Sequence, residues 1–503
     1  MDFLGKKREG DPPHPRKVPQ FDLPLNTESM EAVFDHCVDF AKREIALGGD
    51  REKTVVLCTI GSMVKTERVN DYVLRPLAQD GVFAAVPLGE AYRLMAGGAL
   101  YNLSAREVET VDDAAGALID GACLLLFPPL GKGLALMTAT EEKRAVSTPQ
   151  NEPAVKGAQD SFVESVRTNT SLVRRRLRSP TLKMTEHIVG RQTRTPIDVL
   201  YLAGIANPET VRLVEERIGK MDTDAVLAAG DLEQYLTDGG GTAFPLMPYT
   251  QRPDRFCAGL CQGRVGVLAD GLPIGYLLPG TAEQFFKTEQ DRSNGWILAG
   301  VLTVLRYLCV LVTLFLPGIY IAAVTFHPEM IPTRLALSIL AAREDVPFGA
   351  LLEVFSMLVA FEVLQEAGLR LPASIGQTVS ILGGLVVGSA AVEAKIVSPA
   401  VLIVVALAGI AGYTQPNQDF AGALRLWRFG LAAAAGLGGF LGLTLGAAVL
   451  TLHLAGIETF SVPYLAPFAA RDGTEEGLTL MGPLPERKYR PGWLKTKNRR
   501  KQK

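Results

Sequence analysis

Two hydrophobic rhythms divide this chain near residue 295. Before that point the apolar runs are about 5–9 residues long and are bounded by Gly, Pro and Asp, as buried strands are. "TVVLCTIG" (54–61) reads as a strand, followed by a helix-like "VNDYVLRPLAQDG" (69–81), a second helix-like "DDAAGALIDG", and the strand pair "ACLLLF" and "GLALMTA". The order then repeats. "IDVLYLAGI" (197–205) is a strand, and "PETVRLVEERIGKM" (208–221) a helix with Pro208 in its first turn. "PDRFCAGLCQG" follows as a helix, then the strands "RVGVLAD" and "PIGYLLP" around Gly271. Matching pieces lie about 142 residues apart, a repeat of pattern rather than of identity.

Beyond residue 295 the runs lengthen to the scale of a bilayer, which takes about 20 apolar residues per helix. Tyr307 to Phe326 carries no charge, and Trp296 marks an interface at its start. Ile375–Val392 and Ile396–Tyr413 read as further spans, and Phe429–Ile457 as the longest. "GLGGFLG" (436–442) falls inside that last span and reads as helix-packing glycine rather than a phosphate loop. The segment 348–372 differs, because it carries Glu353, Glu362 and Glu366. Carboxylates are expensive in lipid, so this piece is expected at the interface, partway in, or packed in a protein-lined interior. Glu353 and Glu362 are candidate intramembrane acids.

The fold class that follows is α/β tandem soluble subdomains followed by an α-helical multi-span membrane domain. The expected divisions are a disordered 1–27, a first subdomain 28–150, a basic linker 151–184 and a second subdomain 185–292. A membrane domain then covers 293–470, with about four spanning helices and a partial or interfacial helix near 348–372. A basic tail, 471–503, closes the chain.

Within "GQTVSILGGLVVGSAAVEAKIVSPA" (376–400) the polarity is concentrated on one side. On a helix, Gln377, Ser380, Gly384, Gly388 and Ala391 recur every three or four residues as one small, polar stripe. Such a stripe serves either to admit another backbone closely, with polar groups bonding across helices, or to line a pore in an oligomer. Glu393 and Lys395 follow in a short link, as an interfacial turn or as charge at a pore mouth.

Composition narrows the function. The net charge is −2, but nine basic residues fall between Arg487 and Lys503, placing that end in the cytoplasm by the positive-inside rule. The first residues lack the apolar core of a secretory signal, so the N-terminal half is expected on the same side. Six scattered cysteines form no zinc set and read as reduced thiols. The five histidines show no ligand spacing, and the chain contains no P-loop, HExxH or GxSxG motif. No enzyme, metal or cofactor is expected. The cluster Arg174, Arg175, Arg176 and Arg178 suits a solvated face, an interdomain salt-bridge strip or an anionic partner. Aromatic residues are sparse beside the basic runs, so no nucleic-acid partner is expected.

Several blocks in one order carry a resemblance: "SLVRRRLRSPTLKM", "AGIANPETV", "FPLMPYTQRPD", "HPEMIPTRLALSILAAREDVPF", "GQTVSILGGLVVGSAAVEA" and "VPYLAPFA". Together they resemble the A subunits of spore germination receptors, the GerA family, which includes the SpoVAF proteins. The resemblance implies two cytoplasmic α/β subdomains on a membrane domain in the inner membrane of a bacterial endospore. It also implies assembly with membrane lipid into a homo-oligomeric ring enclosing a gated cation path, together with receptor B and C subunits or a SpoVAF-type partner. Two other roles fit the residues: a non-conducting scaffold of the receptor cluster, and a proton-coupled secondary transporter using Glu353 or Glu362.

Overall fold

In a computed structural model of the chain, the described residues are 21–138 apart from 80 and 101–103, then 149, 152 and 156–370 apart from 238–240, then 388–468, 483 and 487–501. Two five-stranded sheets form the N-terminal half. The first contains β1 (Phe40–Leu47), β2 (Asp50–Ile60), β3 (Ala105–Val108), β4 (Ala122–Phe127) and β5 (Lys132–Met137), in the order β1-β2-β4-β5-β3. The second contains β6 (Leu182–Val189), β7 (Thr195–Leu202), β8 (Tyr249–Thr250), β9 (Val265–Ala269) and β10 (Gly275–Leu278), in the order β6-β7-β9-β10-β8. These are the same sheet twice. Phe40 and Leu182, which open β1 and β6, stand 142 residues apart, matching the repeat read from the apolar runs. Every pairing is antiparallel.

Central strands β4 and β9 are buried at every position, so their sequences are continuous apolar runs. Helix α1 (Val111–Ile119) packs on the first sheet, capped by Thr110, whose hydroxyl accepts from Asp113 N. Helix α2 (Val166–Arg176) follows the first sheet, and α3 (Pro208–Gly219) and α4 (Pro253–Gln262) pack on the second. α4 starts on Pro253 and ends on Gly263 at φ +99°, the left-handed stop that glycine accepts most easily.

Helix α2 settles the role of the arginine cluster. Arg174 is fully buried, and its guanidinium donates from Nε and Nη2 to Asp39 at 3.1 and 2.8 Å and from Nη1 to Leu182 O. Arg176 pairs with Asp160, and Arg178 with Asp120 of the first subdomain at 3.3 Å. Arg174 and Arg178 therefore tie α2 to the first subdomain, while the Arg176 pair is local. Backbone bonds reinforce that tie, with Met184 N donating to His36 O and Val38 N to Met184 O.

The second half is helical. Helix α5 (Trp296–Thr325) leads to α6 (Thr333–Arg343), α7 (Ala350–Arg370), α8 (Pro399–Gly412) and α9 (Gln418–Ala455). Among the described residues, two helices are long and apolar enough to cross a membrane, α5 and α9, and α8 is a shorter apolar helix.

α9 is not a single rod. Gly438 (φ −139°, ψ 19°) and Gly439 (φ +59°, ψ −139°) leave helical geometry, and the chain reverses there. A Cβ on Gly442 would collide with Ala434 O, and one on Gly446 would lie 3.0 Å from Leu431. Farther down, the Trp427 and His453 rings are 5.5 Å apart. α9 is thus an antiparallel hairpin with arms 418–437 and 440–455, about 30 and 24 Å long by helical rise. "GLGGFLG", expected as packing glycine within one long span, contains the reversal, and Gly439 supplies the positive φ that a side chain would strain.

Both ends of the hairpin lie against the sheet domain. Phe244, in the loop before β8, packs on Phe420 at 5.7 Å and on His453 at 6.4 Å, and the His453 ring meets Thr242 Oγ1 at 2.9 Å. The tip meets the far end of α5, where His327 stacks on Phe440. The C-terminal segment also returns. Arg490 Nε donates to Cys261 O, Lys497 N to Ile205 O, and Trp493 buries against Val462 and Ala466. Residues 487–501, expected as part of a basic tail, are therefore held against the second subdomain.

Two expected outcomes follow. Gly442→Ala should destabilise the purified chain by about 1–3 kcal/mol, because the hairpin arms cannot separate without losing their packing. Gly430→Ala, where a Cβ meets nothing within 4 Å, should be neutral or slightly stabilising. Thermal unfolding in detergent compares the two.

Asp198, on β7, is fully buried; neither carboxyl oxygen has a hydrogen-bond partner among the described residues, and Arg167 Nη1 is 3.9 Å away. Burial raises its pKa to about 7, against the lowering effect of Arg167. The folded state thus binds this proton more tightly than the unfolded state. Its contribution to stability is complete below about pH 4 and is lost as pH rises through about 7. Asp198→Asn should flatten that slope in urea unfolding measured across pH.

Candidate functional site

The helical bundle carries its charges in two places, one at each end. At the far end from the sheets, α7 starts beside the turn that precedes α8. Glu353, fully buried, accepts from Arg343 Nε at 3.0 Å and from Ser398 N at 2.9 Å. Its carboxylate thereby binds the last turn of α6 and caps the N-terminus of α8, where helix dipole and free N–H groups favour an anion. Tyr320 Oη and Ser398 Oγ are buried nearby without partners among the described residues.

At the near end, Glu362 on α7 faces α9. Arg425 Nη1 lies 3.2 Å from Glu362 Oε1, and Arg428 Nη2 lies 3.7 Å from Oε2. One carboxylate serves two guanidiniums, and Arg428 is only 2% exposed. A cavity of about 320 Å³ opens beside them, lined by Gln365, Tyr413, Gln415, Arg425 and Arg428 among others. Several buried atoms in this region lack hydrogen-bond partners among the described residues: Glu362 Oε2, Gln415 Oε1, and the Nε atoms of Arg425 and Arg428. Polar groups at this density in a space of this size suit ordered water or a small polar solute. Gln415 Nε2 donates to Arg306 O, and Arg306 pairs with Asp291 at the foot of α5, so the polar zone continues toward the sheet domain.

Of the sequence-derived residues, the structure brings Glu353 and Glu362 into these two clusters. α7 packs on the bundle with both acids turned toward arginines, while Leu352, Val359 and Val363 stay more than half exposed. Gly388 is buried, and a Cβ on it would lie 3.1 Å from Leu402 of α8; Ala391 packs into the apolar core of the bundle. These two positions of the stripe therefore meet another helix. Gln377, Ser380 and Gly384 lie outside the described residues. Glu393 is exposed, and Lys395, at φ +55°, pairs with Asp345 in the far turn. The arginines that complete the clusters were not singled out from the sequence. By the spans read from the sequence, Arg425 and Arg428 fall in the link between Ile396–Tyr413 and Phe429–Ile457. The hairpin instead keeps them on the near arm, one helical turn apart and facing Glu362. Their spacing of three residues was the available signal.

This architecture defines a class: a duplicated sheet domain carrying an apolar helical bundle with paired charges inside and a hairpin that returns to the sheets. The sequence comparisons identify the family. Residues 28–493 match the model of the Bacillus/Clostridium GerA spore germination protein family, and the chain belongs to that family. It is 35% identical to the spore germination protein KA of Bacillus subtilis (strain 168) across 86% of this chain and 79% of that one. Against spore germination protein B1 of the same organism, identity is 33% across 90% and 93%. The membrane protein YfkQ, also from Bacillus subtilis (strain 168), is 36% identical across 88% and 85%. Among solved structures, the N-terminal domain of the A subunit of the Bacillus megaterium spore germinant receptor GerK3 aligns at 24% identity. That alignment has a TM-score of 0.41 and covers 52% of this chain and 97% of that one.

Glu353→Gln should cost about 1–3 kcal/mol, since it leaves the partly buried Arg343 without its carboxylate. Combining Glu353→Gln with Arg343→Met should recover most of that loss. Denaturation of the detergent-solubilised chain measures both, and equal losses in the single and double variants would dissociate the pair from stability.

Proposed function

We propose that this spore germination protein is a non-enzymatic membrane subunit whose copies assemble into a gated path for monovalent cations, triggering or amplifying germination. The observation that carries this reading is the polar cavity within the bundle. Gln365, Gln415, Arg425 and Arg428 line a cavity, with Glu362 paired to both arginines, while Leu407, Ile410, Leu437 and Leu441 stand more than half exposed on the outside. A helical body with an apolar outer surface and a polar cavity beside its internal ion pairs suits lipid around it and water in that cavity. The hairpin supports the topology as well. Both of its ends face the sheet domain, so the sheets and the returning C-terminal segment lie on one side, the cytoplasmic or spore-core side of an inner membrane.

In this reading the chain works as a ring of identical subunits beside other germination proteins, either receptor B and C subunits or a SpoVAF-type partner. The near cavity supplies the hydrated entrance. A partner shifts a closed–open equilibrium by binding one state better than the other.

A second reading, a non-conducting scaffold, has its own support. Gly388 and Ala391 pack on α8 or the bundle core, and the two acids of the bundle are held in ion pairs. A proton-coupled transporter using Glu353 is favoured less, because both oxygens of that acid are already engaged, one by Arg343 and the other by the Ser398 N–H.

Reconstitution separates these readings. The purified chain in liposomes should release potassium down its gradient, and both Gly384→Val and Glu362→Gln should reduce that flux at least about tenfold with oligomer formation preserved. Sealed vesicles containing correctly assembled oligomers would establish the scaffold reading and exclude the channel.

A further inference from the structure

A second cavity, of about 390 Å³, lies where α4, the segment leading into α5 and the C-terminal segment meet. Its charge is one-sided. The floor is satisfied: buried Arg264 donates to Pro279 O and Thr281 Oγ1 and reaches Glu283 at 3.5 Å, and Lys287 pairs with the same Glu283 at 2.7 Å. Arg255 pairs with Glu152, and Arg292 with Glu289 at 3.2 Å. The C-terminal segment then adds Arg487, Arg490 and Lys501 to the wall and no carboxylate among the described lining residues. Seven cations face two lining carboxylates, Glu283 and Glu289.

The geometry is built rather than incidental. Arg490 is 6% exposed, and its guanidinium is fixed by the carbonyls of Cys261, Asn498 and Arg500. Lys501 N donates to Lys488 O, which fixes the backbone carrying the lysine. The groups also affect one another. Lys501 is exposed at the cavity mouth; loss of water on its cavity side, then the positive charges of Arg292 and Arg487, push its amine below the ordinary lysine range. The Arg487 guanidinium is lowered by burial and by Arg292. Like charges crowded in this way are relieved by an anion placed among them. The position is informative too. Arg292 lies just before Trp296, where the exposed apolar surface of α5 begins with Ile297 and Leu298.

We propose that this cavity is a binding site for a phosphate group, held between Arg292 at the foot of α5 and Arg487 and Lys501 of the C-terminal segment. The phosphate belongs either to a phospholipid headgroup, which this depth would reach, or to a soluble phosphate compound entering from the sheet side. An occupant clamps the C-terminal segment to the helix that enters the bundle.

The test uses the full chain in a neutral detergent. Its unfolding temperature is followed as inorganic phosphate is added, and retained lipid is counted by native mass spectrometry with phosphatidylglycerol or phosphatidylcholine. Stabilisation by phosphate identifies a soluble source; selective retention of phosphatidylglycerol without a phosphate effect identifies a headgroup. In either case Arg487→Gln/Lys501→Gln should weaken binding about tenfold. Lys495→Gln/Lys497→Gln, on the same segment but outside the cavity, should leave binding unchanged. Arg292→Gln, on a separate segment, should repeat the loss and guards against misfolding of the C-terminal variant. The proposal is overturned if neither phosphate source acts, or if the outside variant loses as much as the cavity variants.

Discussion

A cluster of aromatic rings holds the two halves of this protein in one core, and most of the remaining geometry depends on it. Phe285 stacks on Phe420 at 5.6 Å, Phe286 meets Phe420 at 5.1 Å and Tyr307 at 4.7 Å, and Phe244 packs on Phe420 and Tyr464. Each such pair is worth about 0.5–1.5 kcal/mol beyond area burial. The larger effect is positional. With Phe286 and Phe420 locked together, α5 and the first arm of α9 enter the bundle at fixed heights. Arg306 then lies beside Asp291, and its carbonyl is presented to Gln415.

From that fixed base, the charges inside the bundle decide which helices are neighbours. Burying an acid among apolar residues is tolerable only with a cation and hydrogen bonds at hand. Glu353 can be satisfied only where α6 and the start of α8 converge, and Glu362 only opposite the arginine face of α9. These two acids set the depth of α7 in the bundle. Apolar packing alone, between helices this rich in Ala, Leu and Gly, would leave that depth poorly specified.

The duplicated sheet domain was legible because its central strands, β4 and β9 among them, are buried throughout and so appear as uninterrupted apolar runs. The outer strands were not. "FAKREIAL" (β1) and "LKMTEHIV" (β6) lie at sheet edges with charged residues on their open side, which hides them among linkers. β6 even begins inside the stretch that reads as a basic linker. In the bundle, the acids were legible as anomalies, but their partners lie 10 residues or more away along the chain, as Arg343 does from Glu353. The hairpin could not be read from composition, since the same glycines serve close packing in a straight helix. Only the backbone reversal at Gly439 separates the two.

That reversal has a mechanical consequence. A helix crossing once offers the domain at its foot a single point of leverage, and a small tilt there is diluted along its length. Here one loop, carrying Thr242 and Phe244, touches the start of one arm and the end of the other. Any rotation of the second sheet is therefore delivered to the two arms as a couple, with opposed displacements that twist the pair and carry to its glycine tip against α5. The sheet domain holds this hairpin by two handles, so a modest turn at its base becomes torsion at the opposite end of the bundle.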